Sequence, residues 1–133
     1  MEIWKFENLK MEMRWSLVYF ISKFSNSQIK KVMIIYNVTI KPSWQIHEAW
    51  LEWMTNQQIP DMLATGLFFR HQMVKLLEVD DNDGPTYSIQ YYIRNKPDYD
   101  QYIREYAPAM RDKGIKLWGD RSVSFRTLME VIN

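Results

Sequence analysis

The sequence predicts an α+β fold of four antiparallel strands and two helices, in the order strand, helix, strand, strand, helix, strand from Met33 onward. Three observations predict it. Residues 33–40 and 85–94 alternate apolar and polar side chains with the period of two that a half-buried strand requires. Between these runs and after the second, large apolar residues recur three and four apart, as on one face of a helix. Prolines, glycines and an acidic run separate the segments at intervals suited to single elements. Because crossovers between strands of one sheet are right-handed, both helices must land on the same face, and the strand order becomes 4-1-3-2.

Strand one, residues 33–40, sets Ile34, Tyr36, Val38 and Ile40 against Ile35, Asn37 and Thr39, and Lys41-Pro42 ends it. Ser43 is the expected N-cap of helix one, whose inner stripe is Ile46, Trp50, Trp53, Met54 and Gln57, up to Pro60. One further helical turn follows over residues 61–65, closed by Gly66. Strand two, residues 67–79, carries Arg70, His71, Gln72 and Lys75 in its middle, which suits an edge position. The acidic run Asp80-Asp81-Asn82-Asp83-Gly84 reverses the chain.

Strand three, residues 85–94, sends Tyr87, Ile89, Tyr91 and Ile93 to one side and Thr86, Ser88, Gln90, Tyr92 and Arg94 to the other. Pro97, Asp98 and Asp100 open helix two, with Tyr99, Tyr102, Ile103, Tyr106 and Met110 as its stripe; Pro108 should kink or split it, and Gly114 should end it. Strand four, residues 122–132, is expected to point Val123, Phe125, Met129 and Val131 inward, and Ser122, Ser124, Arg126 and Glu130 outward. This is the split β-α-β arrangement of the ferredoxin-like fold.

Length and composition agree with one domain at residues 33–133, preceded by an extension at residues 1–32 outside its core. In the extension Leu17, Phe20, Ile21 and Phe24 share one helical face, yet the apolar stretch is too short for a membrane span and Glu2 and Glu7 do not suit a secretory signal. The ordinary reading is that Met33 is the biological start; a short amphipathic helix is the alternative. The chain has no cysteine, so disulfides, thiolate nucleophiles and Cys-based metal sites are excluded, and a cytoplasmic location is expected. The net charge of +1 divides into six basic and three acidic residues before Met33 and 11 basic against 13 acidic after it, a balance of about −2 for the domain. That is a poor electrostatic footprint for nucleic acid, so no such partner is expected.

The segments Met33-Ile34-Ile35-Tyr36-Asn37-Val38-Thr39, Ile59-Pro60 with Ala64-Thr65-Gly66, Tyr87-Ser88-Ile89-Gln90-Tyr91 and Phe125-Arg126-Thr127-Leu128-Met129-Glu130-Val131 resemble a small bacterial domain-of-unknown-function family that begins where Met33 stands. The resemblance implies a ferredoxin-like fold similar to the dimeric α/β-barrel group, which includes cofactor-free monooxygenases, haem-degrading enzymes and regulatory binding modules. It implies a homodimer and no established activity. The family often carries an aromatic residue or histidine before Ile59-Pro60, where this chain has Gln58.

The candidate site residues are few. If Arg126, Asn37 and Gln90 share the outer face of the sheet, with Tyr92 beside them, they form a row able to hold a carboxylate or planar polar ligand, the guanidinium giving a bidentate contact. The competing reading of that row is a face solvated or buried against a second subunit. His47 is a candidate base if it faces a pocket, and otherwise a structural histidine, as is His71. No metal site and no cofactor are expected, because no three or four ligands converge and the 80–84 run lacks a calcium loop's first and last ligands. The Trp118-Gly119-Asp120-Arg121 loop reads either as a functional loop or as a turn pinned by tryptophan packing. The leading expectation is a homodimeric binding or regulatory module with a small-molecule ligand. Its enzymatic alternative is a cofactor-independent monooxygenase-like protein whose pocket is lined by Trp50, Trp53, Tyr87 and Tyr91. An RNA-binding sheet face is disfavoured, since the paired aromatics it needs are missing.

Overall fold

The computed structural model of the chain describes residues 33–133 and Leu17, which is helical and exposed. The rest of the extension, with the expected stripe of Phe20, Ile21 and Phe24, lies outside the described residues. The compact unit Met33–Val131 contains β1 (Ile34–Pro42), β2 (Arg70–Lys75), β3 (Tyr87–Ile93) and β4 (Ser122–Glu130). The sheet order is β2-β3-β1-β4, all neighbours antiparallel, as the element order requires. Its helices are α1 (His47–Trp53), α2 (Ile59–Ala64), α3 (Lys96–Glu105) and α4 (Ala107–Trp118).

The core forms where the two central strands turn their apolar faces toward the helices. Tyr36 and Val38 of β1 and Ile89, Tyr91 and Ile93 of β3 bury against Trp50, Met54, Met62, Tyr102 and Ala107. Ile89 and Ile93 are completely inaccessible, because β3 has a strand on either side and helices above it.

Four local expectations are corrected. Ser43 does not cap α1: the helix enters from Ile46, whose amide donates to the Ser43 carbonyl at 3.1 Å, and no side chain caps it. The Ser43 amide instead donates to the Arg121 carbonyl and that of Trp44 to the Asp83 carbonyl, which fixes the turn without a cap. Pro60 does not stop the first helical run. The segment Met54–Gln58 widens into a π turn, so that the Ile59 amide reaches back five residues to Met54, and the chain absorbs a proline that cannot donate. Strand β2 is shorter than its apolar ends suggest, since Leu67 and Phe68 enter the core ahead of the ladder while Leu77 and Val79 are exposed beyond it.

Gly114 lies inside α4, which continues to Trp118 and ends at Gly119, where φ is +58°. A Cβ at Gly114 would stand 4.0 Å from the Trp53 ring, so the glycine opens space beside that indole. The break expected near Pro108 is present: α3 stops at Glu105, Tyr106 leaves helical geometry, and α4 restarts with the proline in its first turn. Asn95 caps α3 by accepting the Asp98 amide at 2.9 Å.

The acidic turn is held against the start of α1. Lys41 Nζ donates to the Asp80 carbonyl and Trp44 Nε1 to the Asp81 carbonyl, at 3.1 and 2.8 Å. Gly84 closes it, because a Cβ there would sit 1.9 Å from the Pro42 carbonyl oxygen.

The largest correction concerns β4. Val38 stands opposite Arg126, Ile40 opposite Ser124 and Tyr36 opposite Leu128, so these β4 side chains share the helix-facing side. Val123 and Phe125 pair with Lys41 and Thr39 on the open side, the reverse of the expected orientation. Hydrophobicity alone cannot orient this strand, since both of its faces lie largely uncovered: Val123, Phe125 and Leu128 are 66%, 60% and 40% exposed.

Candidate functional site

A cavity of about 180 Å³ opens between the helix-facing side of the sheet and the helices. Strands β1, β3 and β4 supply Tyr36, Tyr91, Ser124 and Arg126; the first helical run supplies Trp50, Trp53 and Gln58; α3 and α4 supply Tyr102, Arg111, Gly114 and Trp118. The Gly114 position lacks a side chain at this wall, which contributes to the space.

The polar groups of the lining have a definite pattern. Gln58 Oε1 and Trp118 Nε1 are both buried and neither has a hydrogen-bond partner among the described residues. An unmade hydrogen bond at a buried donor or acceptor costs about 1–3 kcal/mol, and both side chains belong to the lining, so a small side-chain shift that opened either atom to the cavity would let a ligand or a water complete it. Among the described residues two guanidiniums border the same space and no carboxylate does. Arg111 Nη2 donates to the Tyr36 hydroxyl at 3.4 Å, and Arg126 Nη1 donates to Ser124 Oγ at 3.1 Å. Neither arginine forms an ion pair among the described residues.

Burial holds Tyr91 and Tyr102 of this wall neutral. Burial pushes the Tyr91 phenol far above its ordinary value, neighbouring Tyr102 and Tyr36 add to the effect, and Arg126 opposes it. Burial likewise raises Tyr102, whose hydroxyl donates to Met62 Sδ at 3.3 Å. At neutral pH these hydroxyls are hydrogen-bonding groups and not bases.

The sequence-predicted residues divide between different places. Asn37, Gln90 and Tyr92 lie on the face away from the helices, where Asn37 pairs across the sheet with Gln90 and Ile35 with Tyr92, and where Asn37 and Ser88 are buried. Arg126 stands on the opposite face, so the row of Arg126, Asn37 and Gln90 is not assembled; Thr127 occupies the β4 place beside Asn37. Asn37 is engaged, accepting from Ser88 Oγ and donating to Thr39 Oγ1. Tyr92 is covered by the Arg70 guanidinium, 4.5 Å from its ring centroid.

His47 does not line the cavity. Its Nε2 is 2.6 Å from the Tyr87 hydroxyl, its ring stacks on Tyr87 and meets Trp44 edge-on. Of the four aromatics expected around a pocket, Trp50, Trp53 and Tyr91 are present, whereas Tyr87 belongs to the His47 stack. Gln58, Arg111 and Trp118 escaped the sequence reading as site residues. The π turn carries Gln58 away from the regular helical stripe, and Arg111 has no apolar periodicity to mark it. The sequence places Trp118 in a loop, whereas it is the last residue of α4.

Among the described residues no cluster of three or more His, Asp or Glu is placed to hold a metal ion. No helix among them is long and apolar enough to cross a membrane.

The antiparallel sheet of order β2-β3-β1-β4, covered on one face by helices, defines a ferredoxin-like α+β domain. The chain belongs to the family described as a domain of unknown function, DUF4286, whose model matches residues 33–132. Two solved structures share the fold. One is an ethyl tert-butyl ether D (EthD) family protein from Bacillus halodurans C-125, 11% identical, with a TM-score of 0.58 over 74% of this chain and 98% of that one. The other is a dimeric ferredoxin-like protein from an uncultured marine organism, 7% identical, with a TM-score of 0.56 over 77% of this chain and 98% of that one. No curated protein matches the chain in sequence.

Proposed function

We propose that this protein is a small-molecule-binding module whose ligand occupies the cavity between sheet and helices. The observation that carries the reading is the pair of buried, unpartnered atoms, Gln58 Oε1 and Trp118 Nε1, in one cavity bordered by Arg111 and Arg126. Binding is favoured over proton-transfer chemistry because the lining holds no histidine or carboxylate among the described residues, and its buried tyrosines Tyr91 and Tyr102 are pushed away from the range of a useful base.

The module works as a homodimer through the exposed β4 margin of the sheet face that lies away from the helices. Val123 and Phe125 project from that face of β4, exposed, next to Thr39 and Lys41, and the solved dimeric ferredoxin-like protein has the same fold. A dimer formed in this way leaves the helix-covered cavity of each subunit as a separate binding site.

Thermal shift of the full chain against a small-molecule library, repeated on Gly114→Leu, tests the binding reading. The leucine side chain projects into the cavity beside Trp53. Ligands that stabilise the wild type and lose their effect on Gly114→Leu support the proposal. A library without hits, or hits indifferent to the substitution, overturns it.

A further inference from the structure

The charge and hydrogen-bonding inventory of the cavity narrows what it takes. This step rests on the cavity being a ligand site. Its volume of about 180 Å³ lies below the range of about 300–1,000 Å³ usual for drug-sized ligands, so the occupant is small. Trp50, Trp53, Tyr91 and Trp118 provide flat, apolar walls that favour a planar ring. Among the described residues, the charged side chains of the lining are both arginines, Arg111 and Arg126.

The arginines differ in what they have left to offer. Arg111 is tied to the Tyr36 hydroxyl across the cavity wall, and that hydrogen bond holds its charged form. Arg126 has Ser124 as its hydrogen-bond partner, reached through a single nitrogen, Nη1. Five donors on a guanidinium leave several of those on Arg126 without a protein acceptor among the described residues, and their planar fork matches a carboxylate. Gln58 Oε1 accepts and Trp118 Nε1 donates, the complement of a group that does both, such as a hydroxyl.

We propose that the cavity binds a small aromatic monocarboxylic acid bearing a hydroxyl group, with the carboxylate on Arg126 and the hydroxyl within the reach of Gln58 and Trp118. The ligand completes hydrogen bonds left open among the described residues and supplies the negative charge that their part of the lining lacks. Recognition of this kind separates a hydroxylated aromatic acid from its neutral alcohol by charge, and from the unsubstituted acid by the unmade hydrogen bonds at Gln58 and Trp118.

The test is titration of the full chain, followed by calorimetry and tryptophan fluorescence, with 4-hydroxybenzoate, benzoate and 4-hydroxybenzyl alcohol, on the wild type, Arg126→Gln and Gly114→Leu. The expected result is tightest binding of 4-hydroxybenzoate, weakened about tenfold or more by Arg126→Gln, as for loss of a charge-assisted hydrogen bond, and abolished by Gly114→Leu. Arg126→Gln should leave binding of the neutral alcohol unchanged. If the alcohol binds as tightly as the acid and Arg126→Gln changes neither, the carboxylate assignment is overturned while the cavity remains a ligand site. If benzoate equals 4-hydroxybenzoate, the role given to Gln58 and Trp118 is overturned. If no probe binds at millimolar concentration to any of the folded variants, the proposal fails for this class; library hits lost in Gly114→Leu would still uphold the broader reading.

Discussion

Strands β1 and β4 are bonded to each other along nine residue pairs and yet live in different environments. Along β1, Ile34, Tyr36, Asn37, Val38 and Ile40 are all buried, whereas along β4 most side chains on both faces are exposed. The helices cover β1 and β3 and stop short of β4, so the edge strand has a backbone partner on one side and little side-chain cover on either face. A strand buried on one face has its orientation enforced by the cost of turning apolar side chains to water. A strand covered on neither has its orientation set by the register of its neighbour. The same difference puts the well-packed core in the centre of the sheet and leaves its β4 margin exposed, where Arg126 borders the cavity and Phe125 lies on the other face.

The largest effect that would separate these regions is a cavity cut into the centre. Ile89→Ala removes a side chain that is fully inaccessible and should cost about 2–5 kcal/mol of unfolding free energy, read from urea denaturation. A cost below about 1 kcal/mol would mean that the centre of the sheet is no better packed than its edge, and the comparison would fail. Next comes Gly84→Ala, where the new Cβ meets the Pro42 carbonyl at the end of β1; a loss of about 1–3 kcal/mol is expected from the forced backbone shift. Asn95→Ala, which removes the cap of α3, should cost about 0.5–2 kcal/mol in the same assay.

Alkaline pH probes the centre through its tyrosines. Tyr91 and Tyr102 have phenols raised by burial in the fold, so the unfolded chain releases their protons first as pH climbs past about 10. Their contribution is fully present below that ordinary value and is lost as pH rises toward the raised folded values, because the unfolded state then binds fewer protons than the native state. Denaturation midpoints should therefore fall above about pH 10, and Tyr91→Phe should flatten the decline. A decline equally steep in the variant would place the sensitivity elsewhere.

How legible all this was in the sequence follows the same division. The order of elements, the antiparallel sheet and the faces of β1 and β3 were readable, because the helix-covered face stamps a period of two on the apolar residues Tyr36, Val38, Ile89 and Tyr91. The break at Tyr106 was readable from Pro108. The faces of β4 were not, since Val123 and Phe125 are apolar where the helix-facing places belong to Ser124 and Arg126. The candidate row failed with it, as a slip of one residue sends a side chain to the opposite face. The cavity was legible only in its aromatic walls: Trp50, Trp53 and Tyr91 follow from the stripes, whereas Gln58 depends on a π turn that helical periodicity does not announce.

The smallest expected change in stability, and the one that sharpens the comparison most, is at Phe125. Its ring is 60% exposed and stands across from Thr39 on the open face, so in an isolated subunit Phe125→Ser should alter unfolding free energy by no more than about 0.5 kcal/mol. In a homodimer built on that face the same substitution removes apolar area from the interface and shifts association, with an apparent stability that depends on protein concentration. Light scattering and urea denaturation at two concentrations separate the cases. A wild-type dimer that Phe125→Ser converts to monomer, at nearly unchanged subunit stability, places association on the open face of β4. A dimer untouched by the substitution puts the contact elsewhere. A monomeric wild type leaves Phe125 and Val123 as an unpaired margin, and the open face loses its assignment as a subunit interface while the cavity on the other side keeps its own.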